Sequence, residues 1–157
     1  MTSRQHKEPP TIFIDRNSGG RTFRALIEAE GIEVILHSDV FRDDTIADHA
    51  WLESVSEKGW IVVTGDQATS RSLLFLDQLN RTRTHVFILY MLNGASPEMK
   101  ARHVIELYPW MTEKHASCEP PSLWRVTQND RNRVDIADAL GRAKKRLKNS
   151  RQPRIPR

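Results

Sequence analysis

Residues 59–66, with the sequence Gly-Trp-Ile-Val-Val-Thr-Gly-Asp, indicate the fold class of this chain. The middle of the stretch, Trp60 to Thr64, is short and almost wholly apolar, which is typical of a strand buried on both faces of a sheet. The segment Thr11 to Asp15 has the same form, because its apolar run also leads into an aspartate, Asp15. We interpret the two runs as strands of one parallel sheet that is covered by helices.

The rest of the chain alternates between helical and strand patterns. Helices are predicted over residues 21–30, 45–58, 73–79, 97–107 and 131–149, and further strands over 33–37, 85–90 and 123–126. Pro109 is expected to end the fourth helix, and 123–126 is expected to be a short edge strand. The predicted fold is a single α/β domain with a mostly parallel sheet, flanked by helices and ordered 2-1-3-4-5.

Length and composition fit one globular domain. The chain has 157 residues, of which 38% are hydrophobic and 28% charged, and no apolar run approaches the roughly 18 residues of a membrane span. Residues 1–10 lack the apolar core of a secretory signal and are expected to be a flexible leader. We therefore expect a cytoplasmic protein without membrane association, with a domain over 11–148 and a basic tail over 149–157.

The charge is unevenly distributed along the chain. Residues 142–157 contain eight basic residues and no acidic one, whereas residues 1–141 contain 16 basic and 20 acidic residues. A basic end of this kind attracts phosphate backbones by counterion release. The alternative interpretation is a solubilising end or a docking segment for a partner protein.

Three aspartates have the positions that a metal site would need. Asp15 and Asp66 follow the first and third predicted strands, and Asp48 lies on the predicted helix between them. The carboxyl ends of neighbouring parallel strands meet at one edge of the sheet, where open α/β sheets bind their ligands. Carboxylates gathered there predict a divalent cation, and hard oxygen ligands favour Mg²⁺ or Mn²⁺. Alternatively, a strand-end aspartate caps a turn and a helix acid is solvated.

Four segments resemble the PIN-like nuclease domains, particularly the compact branch that includes toxin ribonucleases of toxin–antitoxin pairs. They are Phe-Ile-Asp-Arg-Asn (13–17), His-Ser-Asp-Val-Phe (37–41), Asp-His-Ala-Trp-Leu (48–52) and residues 59–66. The resemblance extends from about Thr11 to Val126. It implies a PIN-like fold and a metal-dependent ribonuclease that cuts single-stranded RNA.

The resemblance also implies roles for individual residues. Asp15, Asp48 and Asp66 correspond to the acids that hold Mg²⁺ or Mn²⁺ in the family, and Asp39 corresponds to a frequent additional acid. Many relatives have a further aspartate where this chain has Ala68, so a second metal ion is not implied.

Two arginines near the predicted site are candidates for binding the substrate phosphate. Arg16 follows Asp15, and Arg71 follows Asp66 by five positions. Arginine binds phosphate through paired, charge-assisted hydrogen bonds, although each could equally be an ordinary surface residue.

The expected function is that of a Mg²⁺- or Mn²⁺-dependent endoribonuclease, the toxin of a type II toxin–antitoxin pair. Its expected partners are single-stranded RNA, an antitoxin protein and a second copy of the chain in a homodimer. One alternative is a phosphoacceptor domain resembling the receiver family, which requires a lysine after the last strand and a serine or threonine after the fourth. This chain has Thr127-Gln128 and Met91-Leu92-Asn93 there. Another alternative is a catalytically silent PIN-like module that binds RNA or a partner protein.

Overall fold

The described residues form one six-stranded sheet. The computed structural model describes residues 8–41 and 51–151, except for the side chain of Arg151. The strands are β1 (Ile12–Ile14), β2 (Val34–Leu36), β3 (Ile61–Thr64), β4 (His85–Leu89), β5 (Ser122–Val126) and β6 (Arg131–Val134). Their order is β2-β1-β3-β4-β5-β6, with β6 antiparallel to β5 and all other neighbours parallel. The predicted fold class and the predicted order of the first five strands are confirmed.

Helices cover both faces of the sheet. They are α1 (Arg21–Glu28), α2 (His37–Val40), α3 (Leu52–Lys58), α4 (Leu73–Asn80), α5 (Pro97–Ser117) and α6 (Ile136–Arg151), with 3-10 turns at Gln67–Arg71 and Tyr90–Leu92. Residues of α1 and α5 share one apolar core with the sheet, and residues of α3, α4 and α6 share the other. Of the predicted second helix, over 45–58, the structure describes residues 51–58, in which α3 begins at Leu52.

The central strands are apolar because they are buried on both faces. Ile12 and Ile14 of β1 belong to the core under α1 and α5, whereas Phe13 belongs to the core under α3, α4 and α6. In β3, Ile61 and Val63 alternate with Val62 in the same way. Side chains alternate between the faces of a strand, so covering both faces requires an uninterrupted apolar run.

The prediction of a helix from Arg131 onward is wrong for its first five residues. Arg131–Val134 is β6, paired with β5 through a turn in which the Thr127 amide donates to the Asp130 carbonyl at 2.8 Å. Helix α6 begins only at Ile136 and continues to Arg151. β5 is consequently an interior strand, and the prediction that it forms the sheet edge is also wrong.

Pro109 does not end the fourth predicted helix. It lies inside α5, which continues to Ser117, although a proline in a helix interior removes one backbone hydrogen bond. Val104, Leu107 and Met111 lie on the buried face of α5, on both sides of the proline. Burial of this continuous apolar face stabilises the helix across the missing bond.

None of the described helices is both long enough and apolar enough to cross a membrane.

Candidate active site

The carboxyl ends of β1 and β3 lie side by side where the strand order changes direction. β1 has β2 on one side and β3 on the other, so this edge is the topological switch point at which α/β sheets bind ligands. Ile14 is in register with Val63, so Asp15 follows the last paired residue of β1 directly. Asp66 follows Thr64, the last residue of β3, by two positions. The two aspartates that the sequence predicted for the site therefore emerge at the same edge, on neighbouring strands.

The loop that carries Asp66 is fastened on both sides through Gly65. The Gly65 amide donates to Ser18 Oγ at 2.9 Å, and Asn93 Nδ2 donates to the Gly65 carbonyl at 2.6 Å. Ser18 belongs to the turn after β1, and Asn93 follows β4. A Cβ atom on residue 65 would lie 3.0 Å from Leu92 Cβ, so any larger residue would require Leu92 to shift and glycine is favoured at this close approach. The position of Asp66 is thus set by the loops that follow both neighbouring strands.

Asp66 caps the 3-10 turn Gln67–Arg71 with one of its carboxylate oxygens. Its Oδ1 accepts from the Ala68 amide at 3.0 Å, and its own amide donates to Thr64 Oγ1 at 3.0 Å. This local cap is the structural role that the sequence allowed for a strand-end aspartate. The cap requires only Oδ1, so it orients the carboxylate and is compatible with a ligand at Oδ2.

Asp15 is held differently, because it is only 5% exposed. Its carbonyl accepts from the Ser18 amide at 3.2 Å, which forms the turn after β1, and the residue borders a surface cavity together with Arg16, Arg24 and Asp39. Two carboxylates at neighbouring strand ends are hard oxygen donors, which suits Mg²⁺ or Mn²⁺. The donor chemistry of this pair therefore fits the predicted metal ion.

The third predicted ligand, Asp48, lies outside the described residues. Within 8–41 and 51–151, no group of three or more His, Cys, Asp or Glu residues is placed to hold a metal ion. The structure brings Asp15 and Asp66 to the same end of the sheet, and the metal-binding roles of Asp15, Asp66 and Asp48 stay predictions.

A family model described as a PIN-like domain matches residues 10–90, slightly more than half of the chain. The chain belongs to the PIN-like domain family. The matched segment contains all four aspartates named from the sequence, and PIN-like domains are generally nucleases, which are hydrolases. No curated protein and no solved structure is detectably similar to this PIN-like domain.

Asp39, the additional acid suggested by the resemblance, is engaged in the local structure. It lies in α2, where its Oδ2 accepts from Arg24 Nη1 at 2.6 Å and from the Leu36 amide at 2.8 Å. These bonds join α1 to the end of β2 and neutralise the charge of Arg24. Asp39 therefore helps to fix the β2 side of the cavity that contains Asp15, and its role as an additional metal-binding acid stays a prediction.

The two predicted phosphate ligands lie on different sides of the site. Arg16 is exposed and lines the cavity that contains Asp15. Arg71 is exposed at the end of the 3-10 turn that Asp66 begins, and it lines a second cavity, bordered by residues of β5, β6 and α6.

Ser18, Gly65 and Asn93 were not predicted as site residues of this PIN-like domain. A small residue directly before Asp66 is the one local signal that could have pointed to Gly65. The contacts of Gly65 with Ser18 and Asn93 span 47 and 28 positions, so only the fold brings these residues together.

Proposed function

We propose that this PIN-like domain is a metal-dependent endoribonuclease that cleaves single-stranded RNA in the cytoplasm and serves as the toxin of a type II toxin–antitoxin pair. The observation that carries the proposal is the placement of Asp15 and Asp66 at adjacent strand ends, at the switch point of the sheet, in a family whose members are generally nucleases. The toxin role and the RNA substrate are supported by the resemblance of residues 13–17, 37–41, 48–52 and 59–66 to the compact toxin branch.

Asp15, Asp66 and Asp48 would hold the Mg²⁺ or Mn²⁺ ion. When bound, such an ion lowers the pKa of a coordinated water and stabilises negative charge on the phosphoryl oxygens. The chain's own contribution is to position the ligands. The Ala68 amide orients the Asp66 carboxylate, the bonds to Gly65 hold its backbone, and burial restricts the rotamers of Asp15.

Arg16 and Arg71 would bind phosphates of the substrate strand on the two sides of the aspartate pair. Guanidinium groups bind phosphate oxygens in a paired geometry, which restricts the orientation of the strand as well as attracting it. Position 68, an aspartate in many relatives, has only a methyl group here, so the proposal involves one metal ion.

Cleavage of a labelled single-stranded RNA tests the proposed activity. We expect cleavage with Mg²⁺ or Mn²⁺, none with EDTA, and a loss of at least about 100-fold in Asp15→Asn and Asp66→Asn, because even outer-shell changes at metal sites cost roughly 10–100-fold. The matched control is Asp77→Asn, which removes an exposed carboxylate from α4 and a surface ion pair with Arg81. Cleavage that persists in EDTA and in both site variants would exclude the proposed metal chemistry.

The toxin role needs its own experiment. Induced expression of the wild-type chain should arrest bacterial growth, Asp66→Asn should not, and the product of an adjacent antitoxin-like reading frame should restore growth. Copurification with that product, and sedimentation of the purified chain, would test the antitoxin partner and the homodimer. Growth that is unaffected by an active nuclease would remove the toxin role and leave the ribonuclease proposal intact.

A catalytically silent RNA-binding or partner-binding module is the second candidate. It is favoured by Ala68, which stands where many relatives have a further aspartate. It predicts RNA binding without cleavage and no effect of Asp66→Asn. The receiver-like alternative lacks such support, because residues 90–93, which follow β4, include no serine or threonine, and Asn93 binds the Gly65 carbonyl through its amide group.

A further inference from the structure

A cavity rich in arginine lies between the 3-10 turn after β3 and helix α6. Its lining includes four arginines from three different elements, and we call it the arginine cavity: Arg71 from the turn, Arg125 from β5, and Arg142 and Arg146 from α6. All four residues are exposed to solvent. Helix α6 contacts the turn, so residues 75 positions apart share one surface.

The arginine cavity lies close to Asp66. The 3-10 turn joins Asp66 to Arg71, and five residues at a rise of about 2 Å each separate their backbones by roughly 10 Å. A second route across the sheet gives a similar distance. Thr64 is in register with Ile88, and Ile88 with Arg125, so Arg125 lies two strand spacings from the end of β3, or about 10 Å.

Positive charge exceeds negative charge in the arginine cavity. Two aspartates, Asp135 and Asp138, also line it, and the carboxylate of each contacts another group of the protein. Asp138 pairs with Arg142 at 3.1 Å on the surface, and Asp135 Oδ1 accepts from the Asp138 amide at the start of α6. None of the ion pairs found among residues 8–41 and 51–151 involves Arg71, Arg125 or Arg146. The cavity thus retains positive charge for an anionic ligand.

Hydrogen bonding orients one of these arginines without neutralising it. Arg146 Nη2 donates to the Arg71 carbonyl at 3.2 Å, which uses one of its five N–H donors and ties α6 to the turn. Arg133 also borders the cavity, but its guanidinium lies 5.8 Å from the centre of the Trp124 ring and donates to the Glu119 carbonyl. We therefore leave Arg133 out of the ligand set.

We propose that the arginine cavity binds phosphates of the single-stranded RNA on one side of the scissile bond, an inference that rests on the proposed ribonuclease function. A cleft containing Asp15 and Asp66 repels a polyanion, and residues 1–141 are net negative. Helix α6 returns Arg142 and Arg146, from the basic end of the sequence, to the edge where Asp66 lies. Arginine forks match phosphodiester oxygens, and the 3-10 turn that Asp66 caps ends at Arg71 in the cavity lining.

The test compares two pairs of substitutions on the same helix. Arg142→Gln with Arg146→Gln removes two charges from the cavity. Lys144→Gln with Lys148→Gln removes two charges at the same spacing, and residues two positions apart on a helix differ by about 200° around its axis. The two lysines do not belong to the cavity lining. Glutamine preserves helix propensity in both variants, and circular dichroism would verify the fold.

The readout is binding of a fluorescein-labelled single-stranded RNA to the full chain in EDTA, which prevents metal-dependent cleavage. For two lost single-strand phosphate contacts, the slope of log affinity against log salt should fall by about 1.4 in the arginine pair. Between about 50 and 200 mM salt the wild type should then lose roughly sevenfold more affinity than this variant. Arg125→Gln should lower the slope by about 0.7, and the lysine pair should change it less than the arginine pair.

Equal slopes in the wild type and the arginine pair, or equal effects of the arginine and lysine pairs, would overturn the proposal. Cleavage by the same proteins in Mg²⁺ or Mn²⁺ separates the two proposals. If the wild type cleaves RNA and the slopes are equal, the arginine cavity alone is excluded. If the wild type does not cleave but the arginine pair lowers the slope, the nuclease activity fails while RNA binding at the cavity is supported.

Discussion

Removing the Ser18 hydroxyl should uncouple Asp66 from the turn after β1. In Ser18→Ala the Gly65 amide loses its acceptor at 2.9 Å, while Asn93 still holds the Gly65 carbonyl. Ser18 is 5% exposed and Gly65 is buried, so the space left by the hydroxyl is shielded from bulk water. The perturbation acts on the residue directly before Asp66 and leaves both carboxylates in place.

The expected loss has a stability part and an activity part. A buried amide without a partner costs about 1–3 kcal/mol, which for a chain of this size lowers the melting temperature by roughly 2–12 °C. If Asp66 holds the metal ion as proposed, Ser18 acts like an outer-shell partner of a metal ligand, whose loss costs roughly 10–100-fold in activity. We therefore expect a reduced kcat for RNA cleavage at temperatures well below the melting transition.

Ser56→Ala provides the matched control. Ser56 Oγ accepts from the Arg83 amide at 2.9 Å, 27 positions away, at the opposite edge of the sheet from Asp66. This is the same type of bond, and its loss should cost about 0.5–1.5 kcal/mol without changing cleavage. A Ser18→Ala protein that is destabilised but keeps wild-type kcat would refute a positioning role for Ser18. Equal losses of activity in both variants would attribute the effect to stability alone.

Three further predictions concern the metal ion, Gly65 and the basic tail. Mn²⁺ at about 100 times its dissociation constant should stabilise the wild type against thermal unfolding by about 2.7 kcal/mol. This stabilisation should be absent from Asp15→Asn and Asp66→Asn, and equal stabilisation of all three proteins would place the ion elsewhere. Gly65→Ala should cost about 1–3 kcal/mol and reduce cleavage, because the new methyl group would press on Leu92, which is 1% exposed; calorimetry and a cleavage assay measure both effects. Removing residues 149–157 deletes three arginines and should lower the salt slope of RNA binding by up to roughly 2 units; an unchanged slope would leave the tail only a solubilising or docking role.

The strands that carry the site could be predicted because burial on both faces leaves a strong local pattern. Residues 12–14 and 61–63 are continuous apolar runs, followed by Asp15 directly and by Asp66 after Thr64 and Gly65. Their adjacency follows from a common strand order of the fold class. β6 could not be found in this way. The strand has only four residues, Arg-Asn-Arg-Val, which are mostly polar and exposed. They form a strand because the turn over residues 127–130 pairs them with β5.

At the site, too, the contacts that sequence reasoning missed depend on pairing between distant segments. Capping by Asp66 is local, and the strand-end position already suggested it. The contacts of Gly65 with Ser18 and Asn93, and that of Arg146 with the Arg71 carbonyl, join segments 28 to 75 positions apart. No local pattern encodes such contacts, because they depend on how the helices pack on the sheet.

The distribution of arginines around the aspartate pair gives the proposed RNA path a preferred side. On the β2 side, Asp39 forms an ion pair with Arg24 at 2.6 Å and offsets its charge. Arg24 therefore adds little to the positive charge that Arg16 brings to the same cavity. On the β5 side, Arg71, Arg125 and Arg146 lie in a cavity whose two aspartates are engaged with Arg142 and with the start of α6. A polyanion gains more from the second side, because phosphate contacts add to the counterion release that drives binding. Under the proposed function, the RNA strand is therefore held mainly on the β5 side of Asp66, between the 3-10 turn and α6. It reaches the aspartate pair from that side.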